Sequence, residues 1–392
     1  MKSAVQFRIA AIEAAQWNAL TDGSNPFVRH AWLQALEDTG CVGPGTGWDP
    51  CFITLQDERG LAAAAPAFLK QHSYGEFVFD FSWAQAYARA GLGYYPKLLI
   101  AAPFTPATGP RLLTRADLPR AATVRALLAA ISDFVTDRGL SSAHVLFPDE
   151  STLGELEAGQ WLPRRDCQFH WTSRGYGSFD DFLETFTADK RKKAKRERRR
   201  VAEQGIRFET RRGFELTPRE LGRAYDLHRD TFLRHGHEPY LTRAFFAAVA
   251  RDPDSGLVVT LALRGGEIVA TAICFAGADT LYGRYWGSAE EFHSLHFETC
   301  YHQGIEYCIQ QGLTRFEPGT QGEHKISRGF EPTLTWSAHY IADPRFRSAI
   351  ADYLRREARN VDEYAEAARR HVPYKELPAL TAPSAELPLP VE

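Results

Sequence analysis

Residues 257–286 read LVVTLALRGGEIVATAICFAGADTLYGRYW and contain three runs rich in apolar and β-branched residues. The runs 257–264, 267–276 and 280–286 are separated by short stretches with glycine, a pattern typical of neighbouring strands joined by turns. We therefore predict a meander of three antiparallel strands. A helix over 298–311, ending at Gly312, and a short strand over 315–317 are predicted to follow.

The order of elements around this meander predicts the fold class. Each half of the chain runs through helices, antiparallel strands, a helix and further strand. This order favours an α+β fold with two domains, each a mixed, mostly antiparallel sheet flanked by helices. We predict domains over residues 1–165 and 166–376. Residues 377–392, rich in Pro, Ala, Leu and Glu, are predicted to be a disordered tail.

Composition indicates an ordinary globular protein. The 392 residues are 44% hydrophobic and 24% charged, and the net charge of −3 argues against a general affinity for nucleic acid. The six cysteines show no CxxC spacing, so we expect free thiols in a reducing compartment. Neither a secretory signal nor a membrane-spanning stretch is predicted, and a cytoplasmic location is expected.

The segment over residues 316–330, FEPGTQGEHKISRGF, is unusually dense in polar side chains between glycines. Glycines allow sharp turns and a close approach of the backbone to a ligand. Among the polar residues, Glu317 is a candidate general base, while Lys325 and Arg328 are candidate binders of an anion or oxyanion. Gln321 and His324 are predicted to contact substrate.

A second group of candidates precedes this segment. On strand alternation Tyr282, Arg284 and Trp286 share one face, and an arginine beside two aromatic rings is typical of a pocket that binds carboxylate or phosphate. Glu298 is predicted to begin a helix, where a carboxylate is favourable, and it is a second candidate base. The histidines near Glu298 lack a metal-ligand spacing such as HExxH, so no metal site is predicted.

Nine of the eleven residues over 190–200, KRKKAKRERRR, are Lys or Arg. Lysine and arginine contacts to phosphates are the main source of affinity for nucleic acid. We therefore predict a polyanion-binding helix with the following candidate residues: Lys192, Lys193, Arg196 and Arg199. A solvent-exposed helix without a ligand is the alternative.

In the first half, aromatic and charged residues cluster over residues 72–80, with Tyr94, Tyr95 and Lys97 nearby. Aromatic and polar groups together suit a rim that contacts sugars or peptides. The same composition suits a core between two domains. The sequence leaves both interpretations open.

Several segments carry a resemblance to a known family. Residues 190–209, 228–246, 281–313 and 322–330 are similar, in this order, to the second domain of Fem proteins, and the TGPR sequence over 108–111 is similar to a Gly-Pro signature of the first. The chain thus resembles the Fem-like branch of the GNAT acyltransferase superfamily, and more closely the FemAB-like peptidoglycan biosynthesis or recognition proteins. The resemblance covers most of residues 25–375.

The resemblance implies two GNAT-like domains and transfer of an acyl or aminoacyl group to a small-molecule or peptide amine. Its implied donor is an acyl-CoA or an aminoacyl-tRNA. Two residues depart from the Fem pattern: Ser327 replaces a lysine and His324 an aromatic residue. The glycine motif with which acetyl-CoA-dependent enzymes hold phosphates is not legible, so the donor stays open. The alternative function is a non-catalytic protein that recognises a cell-wall precursor or polyanion through the same cleft.

Overall fold

The computed structural model describes residues 1–320 and 322–376, and the predicted disordered tail lies outside the described residues. The first half contains eight strands and five helices. The strands are β1 Lys2–Gln6, β2 Trp48–Pro50, β3 Phe52–Asp57, β4 Gly60–Ala65, β5 Ala67–Lys70, β6 Lys97–Ile100, β7 Leu113–Thr114 and β8 Ser142–Leu146. The helices are α1 Ala14–Asn18, α2 His30–Asp38, α3 Phe81–Arg89, α4 Arg120–Asp137 and α5 Glu150–Ala158.

The second half contains seven strands and seven α-helical segments in the described residues. Its strands are β9 Leu162–Thr172, β10 Ile206–Arg212, β11 Leu257–Arg264, β12 Glu267–Ala276, β13 Thr280–Ser288, β14 Arg315–Glu317 and β15 Glu331–Ile341. The helices are α6 Phe179–Glu184, α7 Ala188–Glu203, α8 Pro218–Arg234, α9 Arg243–Arg251, α10 Leu295–Phe297, α11 Gln303–Gln311 and α12 Pro344–Arg369. A π-helical turn, Glu298–His302, joins α10 to α11, so this helix begins one turn earlier than predicted.

The strands form two sheets. Four strands pair in the order β1-β3-β4-β7, and eleven pair in the order β10-β11-β12-β13-β14-β9-β15-β8-β6-β5-β2. Strands β11, β12 and β13 form the predicted antiparallel meander. All neighbours are antiparallel except β13 with β14 and β6 with β8, so each half contributes one parallel pair.

The large sheet is continuous across both halves, which the sequence did not predict. Strand β15 pairs with β9 on one side and with β8 of the first half on the other. With eleven residues, β15 is long enough to pair with both neighbouring strands. The predicted domain boundary between residues 165 and 166 lies inside β9, so the two halves share a backbone hydrogen-bond network at the boundary.

The largest hydrophobic core also joins the halves. The Trp32 ring of α2 meets Phe245 of α9 at 5.0 Å and Phe275 of β12 at 4.8 Å, both edge to face. Phe27 of the first half lies 5.0 Å from Tyr282 of β13. Buried aromatic pairs of this kind contribute beyond their apolar area. The two halves therefore pack as one body around the site described next.

Candidate functional site

A cavity opens where β13 and β14 part. The two parallel strands pair only at Thr280–Tyr282 with Arg315–Glu317. Strand β14 then ends, whereas β13 continues to Ser288. The resulting gap leads into a cavity of about 550 Å³ that both halves of the chain line. Nine of the described lining residues are aromatic: Tyr74, Phe77, Phe79, Phe81, Phe232, Tyr240, Tyr285, Trp286 and Tyr301.

A bulge in β13 sets which side chains reach the cavity. Gly283 is opposite Cys274 and Tyr285 is opposite Ile273, so Arg284 is the extra residue. An extra residue reverses the alternation of faces beyond it. Tyr282 and Trp286 therefore lie on opposite faces, and the prediction that Tyr282, Arg284 and Trp286 all share one face is wrong.

These three residues of β13 do not share one environment. Arg284 and Trp286 line the cavity. Tyr282, predicted to bind substrate, instead packs in the core that joins the halves. Alternation alone could not have indicated this, because a bulge shows no clear sequence signal here.

Arg284 is a cation held by the first half of the chain. Its guanidinium donates to the carbonyl oxygen of Phe104, and its Cζ atom lies 5.7 Å from the ring centre of Phe77. Within the described parts of the chain, no carboxylate forms an ion pair with it. Burial lowers the pKa of Arg284 from its usual value. The side chain is thus positioned for a negatively charged group in the cavity.

Lys325 is the second cation of the cavity, and unlike the half-buried Arg284 it is buried. It lies on a 3₁₀-helix, Glu323–Arg328, between Gly322 and Gly329, whose φ values of 107° and 92° favour glycine. The side chain is 2% exposed, and its Nζ atom donates to the carbonyl oxygen of Gly319 at 2.5 Å. Burial lowers the pKa of Lys325 to about 7. No ion pair to Lys325 is found among residues 1–320 and 322–376.

None of the described residues that line the cavity is Asp or Glu. The cavity instead contains the two cations and several imidazoles. His296 lies in the wall beside Trp286, and burial lowers its pKa to about 4, so it is neutral near pH 7. An anionic ligand would therefore find complementary charge and no opposing carboxylate.

His324 lies behind the wall instead of in it. Its Nε2 atom is 2.7 Å from the hydroxyl oxygen of Tyr301, which lines the cavity. Burial lowers the pKa of His324. His324 therefore does not line the cavity, and its predicted contact with substrate stays a prediction. Gln321, also predicted to contact substrate, is outside the described residues.

Glu317 lies below the cavity floor. The three residues that follow it, Pro318, Gly319 and Thr320, line the cavity, but Glu317 itself does not. Its Oε2 atom accepts the backbone N–H of Thr108 at 3.2 Å, which ties β14 to the first half. Burial raises the pKa of Glu317 to about 7. The carboxyl can titrate near neutrality, but the structure shows it bound to the backbone.

Glu298 and Arg328 are engaged with other side chains. Glu298 accepts hydrogen bonds from Arg198 at 3.0 Å and from His302 at 3.0 Å. Burial alone would raise the pKa of Glu298, but these donors lower it to about 2. Neither Glu298 nor Arg328 lines the cavity, and their predicted catalytic roles stay predictions.

Arg328 connects the cavity segment to the basic helix. Its Nη2 atom is 3.0 Å from both carboxylate oxygens of Glu197 on α7. Its Cζ atom lies 3.4 Å from the ring centre of Phe297, and its Nη1 atom donates to the carbonyl oxygen of His324 at 2.6 Å. The arrangement fixes the 3₁₀-helix that carries Lys325.

The predicted polyanion-binding residues lie on the outer face of α7. Lys192, Lys193 and Arg196 are exposed and form no ion pair with the described residues, and Arg199 pairs with Glu203 at 3.5 Å. The inner face of the helix buries Ala194 and Val201. The outer face thus presents cations to solvent, and the binding of a polyanion there stays a prediction.

The first-half cluster is divided between the cavity wall and the protein interior. Its aromatic residues Tyr74, Phe77 and Phe79 line the cavity. Its charged residues, including Lys97, are buried beneath them. Sequence spacing gave no sign of this division, which follows from the path of one irregular segment.

No group of three or more His, Cys, Asp and Glu side chains suited to a metal ion is found in the described parts of the chain. Nor is any described helix long and apolar enough to cross a membrane.

Comparisons with known proteins agree with this architecture. The FemAB-like family, described as peptidoglycan biosynthesis/recognition, matches residues 8–376. Comparison with curated proteins gives no match.

Several solved structures share the fold. FemX is 11% identical, with a TM-score of 0.53 over 90% of this chain and 100% of FemX. The C-terminal domain of a lysylphosphatidylglycerol synthetase from Agrobacterium fabrum is 11% identical, with a TM-score of 0.50 over 88% of this chain and 96% of that domain. A protein of unknown function from Bacteroides thetaiotaomicron is 12% identical, with a TM-score of 0.51 over 86% and 99%. The predicted α+β fold with two GNAT-like domains is confirmed.

Proposed function

The chain belongs to the FemAB-like family, and from this premise we propose that it transfers an acyl or aminoacyl group to an amine in the central cavity. One observation carries the proposal. Two cationic side chains, the half-buried Arg284 and the buried Lys325, face an aromatic cavity whose described lining contains no carboxylate. Acyl transfer to an amine requires a proton acceptor and a stabilised oxyanion, and these two side chains match the two requirements.

Lys325 is the proposed proton acceptor. An amine attacks only in its neutral form, and a cavity with fixed positive charge disfavours an ammonium ion. With a pKa of about 7, Lys325 is neutral in a large fraction of molecules near neutral pH. Its Nζ atom then takes the proton that the amine nitrogen loses as the new C–N bond forms.

Arg284 is the proposed partner of the oxyanion. Attack on the donor carbonyl carbon places negative charge on its oxygen before the leaving group departs. The Phe104 carbonyl already orients the guanidinium, so little reorganisation is needed when that charge develops. A guanidinium has five N–H donors, and one bond to Phe104 leaves donors for the oxyanion.

The family description leads us to propose a peptidoglycan building block with a free amine as the acceptor. Both implied donors, acyl-CoA and aminoacyl-tRNA, carry phosphates and are molecules of the cytoplasm. The reaction is therefore proposed to occur there, with the donor phosphates at the outer face of α7.

The direct test uses purified protein with radiolabelled aminoacyl-tRNA and acyl-CoA donors against a panel of amines. We expect transfer from one donor class and its loss in Lys325→Met and Arg284→Gln. Absence of transfer from every donor, together with retained binding of the acceptor, would instead establish the alternative of a recognition protein.

A second experiment tests where the donor binds. A variant with Gln at four positions of α7 should bind the donor more weakly and with a flatter dependence on salt, because fewer phosphate contacts remain. The changed residues are Lys192, Lys193, Arg196 and Arg199. A matched control removes four exposed cations from α12: Arg345, Arg355, Arg356 and Arg359. If both variants showed the same salt dependence, the proposal that α7 binds the donor phosphates would be wrong.

A further inference from the structure

An irregular segment of the first half forms one wall of the cavity. Residues 73–80, here called the anchored strap, connect β5 to α3 without helix or strand. The Tyr74, Phe77 and Phe79 side chains of the strap line the cavity. Phe77 is also the ring that lies 5.7 Å from the Arg284 Cζ atom. The strap therefore touches the cation that we assign to the oxyanion.

The polar side chains of the strap are fixed to one buried ammonium, and a second, that of Lys70, donates to the strap at the Tyr74 carbonyl oxygen at 3.4 Å. Lys97, at the start of β6, is fully buried. Its Nζ atom donates to Ser73 Oγ at 2.9 Å, to Glu76 Oε2 at 2.8 Å and to Asp80 Oδ2. These acceptors include both carboxyl groups of the strap, and Ser73 also borders the cavity. One cation thus binds the strap at its first, fourth and last residues.

The anchor is continuous with the centre of the large sheet. The Tyr94 hydroxyl donates to Asp80 Oδ2 at 2.6 Å and lies 3.2 Å from His144 Nε2 on β8. The other ring nitrogen of His144 is 2.7 Å from His339 Nδ1 on β15. Because β8 and β15 are internal strands, this network attaches the strap to a rigid part of the molecule.

The strap also follows a constrained backbone path. Gly75 has a φ of 79°, and a Cβ atom there would lie 2.7 Å from the Phe104 ring. Phe77 has a φ of 61°, which is uncommon for a residue with a side chain. Phe104 is the residue whose carbonyl holds Arg284. Strap position and Arg284 position are therefore coupled through Phe104 and Phe77.

We propose that Lys97 is a positioning residue for the cavity, which holds the anchored strap so that its aromatic wall and Arg284 keep their geometry. Burying an ammonium with two carboxylates is expensive unless the geometry is tightly satisfied. A segment that only connected two elements would not need it. The inference rests on the proposed function only in taking the central cavity as the ligand site.

Cysteine labelling tests the proposal without donor or acceptor. Cys300 lines the cavity, whereas Cys167 is equally half-buried but lies outside it. The rate of N-ethylmaleimide modification at each thiol, measured by peptide mass spectrometry, reports local opening of the cavity and of β9 respectively. Ser73→Ala, and Ser73→Ala combined with Glu76→Gln, loosen the strap. Ser142→Ala is the matched control, because Ser142 joins the same network at His144, 2.8 Å away, outside the strap.

Ser73→Ala should speed the labelling of Cys300 by about tenfold, the effect of losing about 1.4 kcal/mol of net hydrogen bonding on a local opening, and the double variant should speed it further. Cys167 should stay within about twofold, and Ser142→Ala should change neither rate by more. The proposal is overturned if Cys300 is unchanged, if both thiols accelerate together, or if Ser142→Ala matches the strap variants. A failure to detect transfer would leave this result unaffected, so the two proposals fail separately.

Discussion

Two buried lysines of this protein have opposite surroundings. Lys97 of the first half is fully buried and bonded to two carboxylates, whereas Lys325 of the second half is 2% exposed and bonded to a backbone carbonyl. Burial by itself would lower the pKa of both lysines. For Lys97 the charges of Glu76 and Asp80 more than offset burial, so its pKa is raised, but for Lys325 it falls to about 7.

The difference teaches that counter-charge, not burial, decides what a buried lysine can do. A lysine locked between carboxylates stays protonated and is suited to fixing structure. A lysine without a carboxylate becomes a weak base that exchanges protons near neutral pH. The first half thus contributes a rigid wall, and the second half contributes the titrating group.

The largest expected effect is on stability at Lys97. Lys97→Met leaves Glu76 and Asp80 buried without their cation, and breaking a buried pair in this way costs about 3–5 kcal/mol. Lys325→Met removes a buried cation that has no carboxylate partner, so its free energy of unfolding should change by only about 1 kcal/mol. Urea denaturation of both variants measures the contrast, and equal losses would contradict it.

A somewhat smaller effect concerns the pH dependence of stability at Glu76. Burial raises the pKa of this carboxyl to about 7, although the neighbouring Lys97 ammonium acts to lower it. Because the unfolded carboxyl has a pKa near 4.5, it releases its proton first as pH rises. Its contribution to the stability of the wild type is therefore present below about pH 4.5 and is lost up to about pH 7, by roughly 3 kcal/mol.

Glu76→Gln removes this titration. The difference in unfolding free energy between variant and wild type should therefore shift in favour of the variant by that amount as pH rises from about 4.5 to 7. Denaturation at a series of pH values measures it, with Ser142→Ala as the reference for all other groups. Parallel curves for wild type and Glu76→Gln would show that Glu76 does not titrate in this range.

The smallest effect, in free energy, is on catalysis at Lys325. Its neutral fraction grows as pH rises through about 7, so kcat/KM of the wild type should rise there. Lys325→Met should lower kcat/KM by about a hundredfold, or ~2.7 kcal/mol, and should remove the rise. These values come from initial rates of the transfer reaction at a series of pH values.

Lys70 provides the control for that profile. Burial lowers its pKa to about 7 as well, but its Nζ atom donates to the Gly47 carbonyl and it does not line the cavity. Lys70→Met should therefore keep the midpoint of the pH profile. If the midpoint moved in Lys70→Met and not in Lys325→Met, Lys325 would not be the proton acceptor.

Some of these features could be predicted from the sequence and others could not. The strand meander followed from hydrophobic runs and turns, which are local signals. Lys325 was selected from a polar segment between glycines, and Arg284 and Trp286 as an arginine beside aromatic rings on a predicted strand. The structure places all three in the cavity lining. Tyr282 was misplaced because strand alternation assumes no bulge.

Other predictions failed to anticipate long-range partners. Arg328 meets Glu197, which is 131 positions away in the sequence. The contact between Arg284 and Phe104 spans 180 positions. No local pattern encodes such pairs. They depend on how α7 packs against the 3₁₀-helix of Arg328 and on how the first half of the chain packs against the second half.

By itself, the sequence determined the α+β class, the order of elements, the resemblance to Fem proteins and a set of basic and aromatic candidates. Those features depend on residues close in the chain or on a family pattern. Only the tertiary structure decided that the two halves share one sheet, that the anchored strap forms a wall, and which lysine titrates. Burial and counter-charge are properties of neighbours in space, and the neighbours of Lys97 and Lys325 are brought together only by folding.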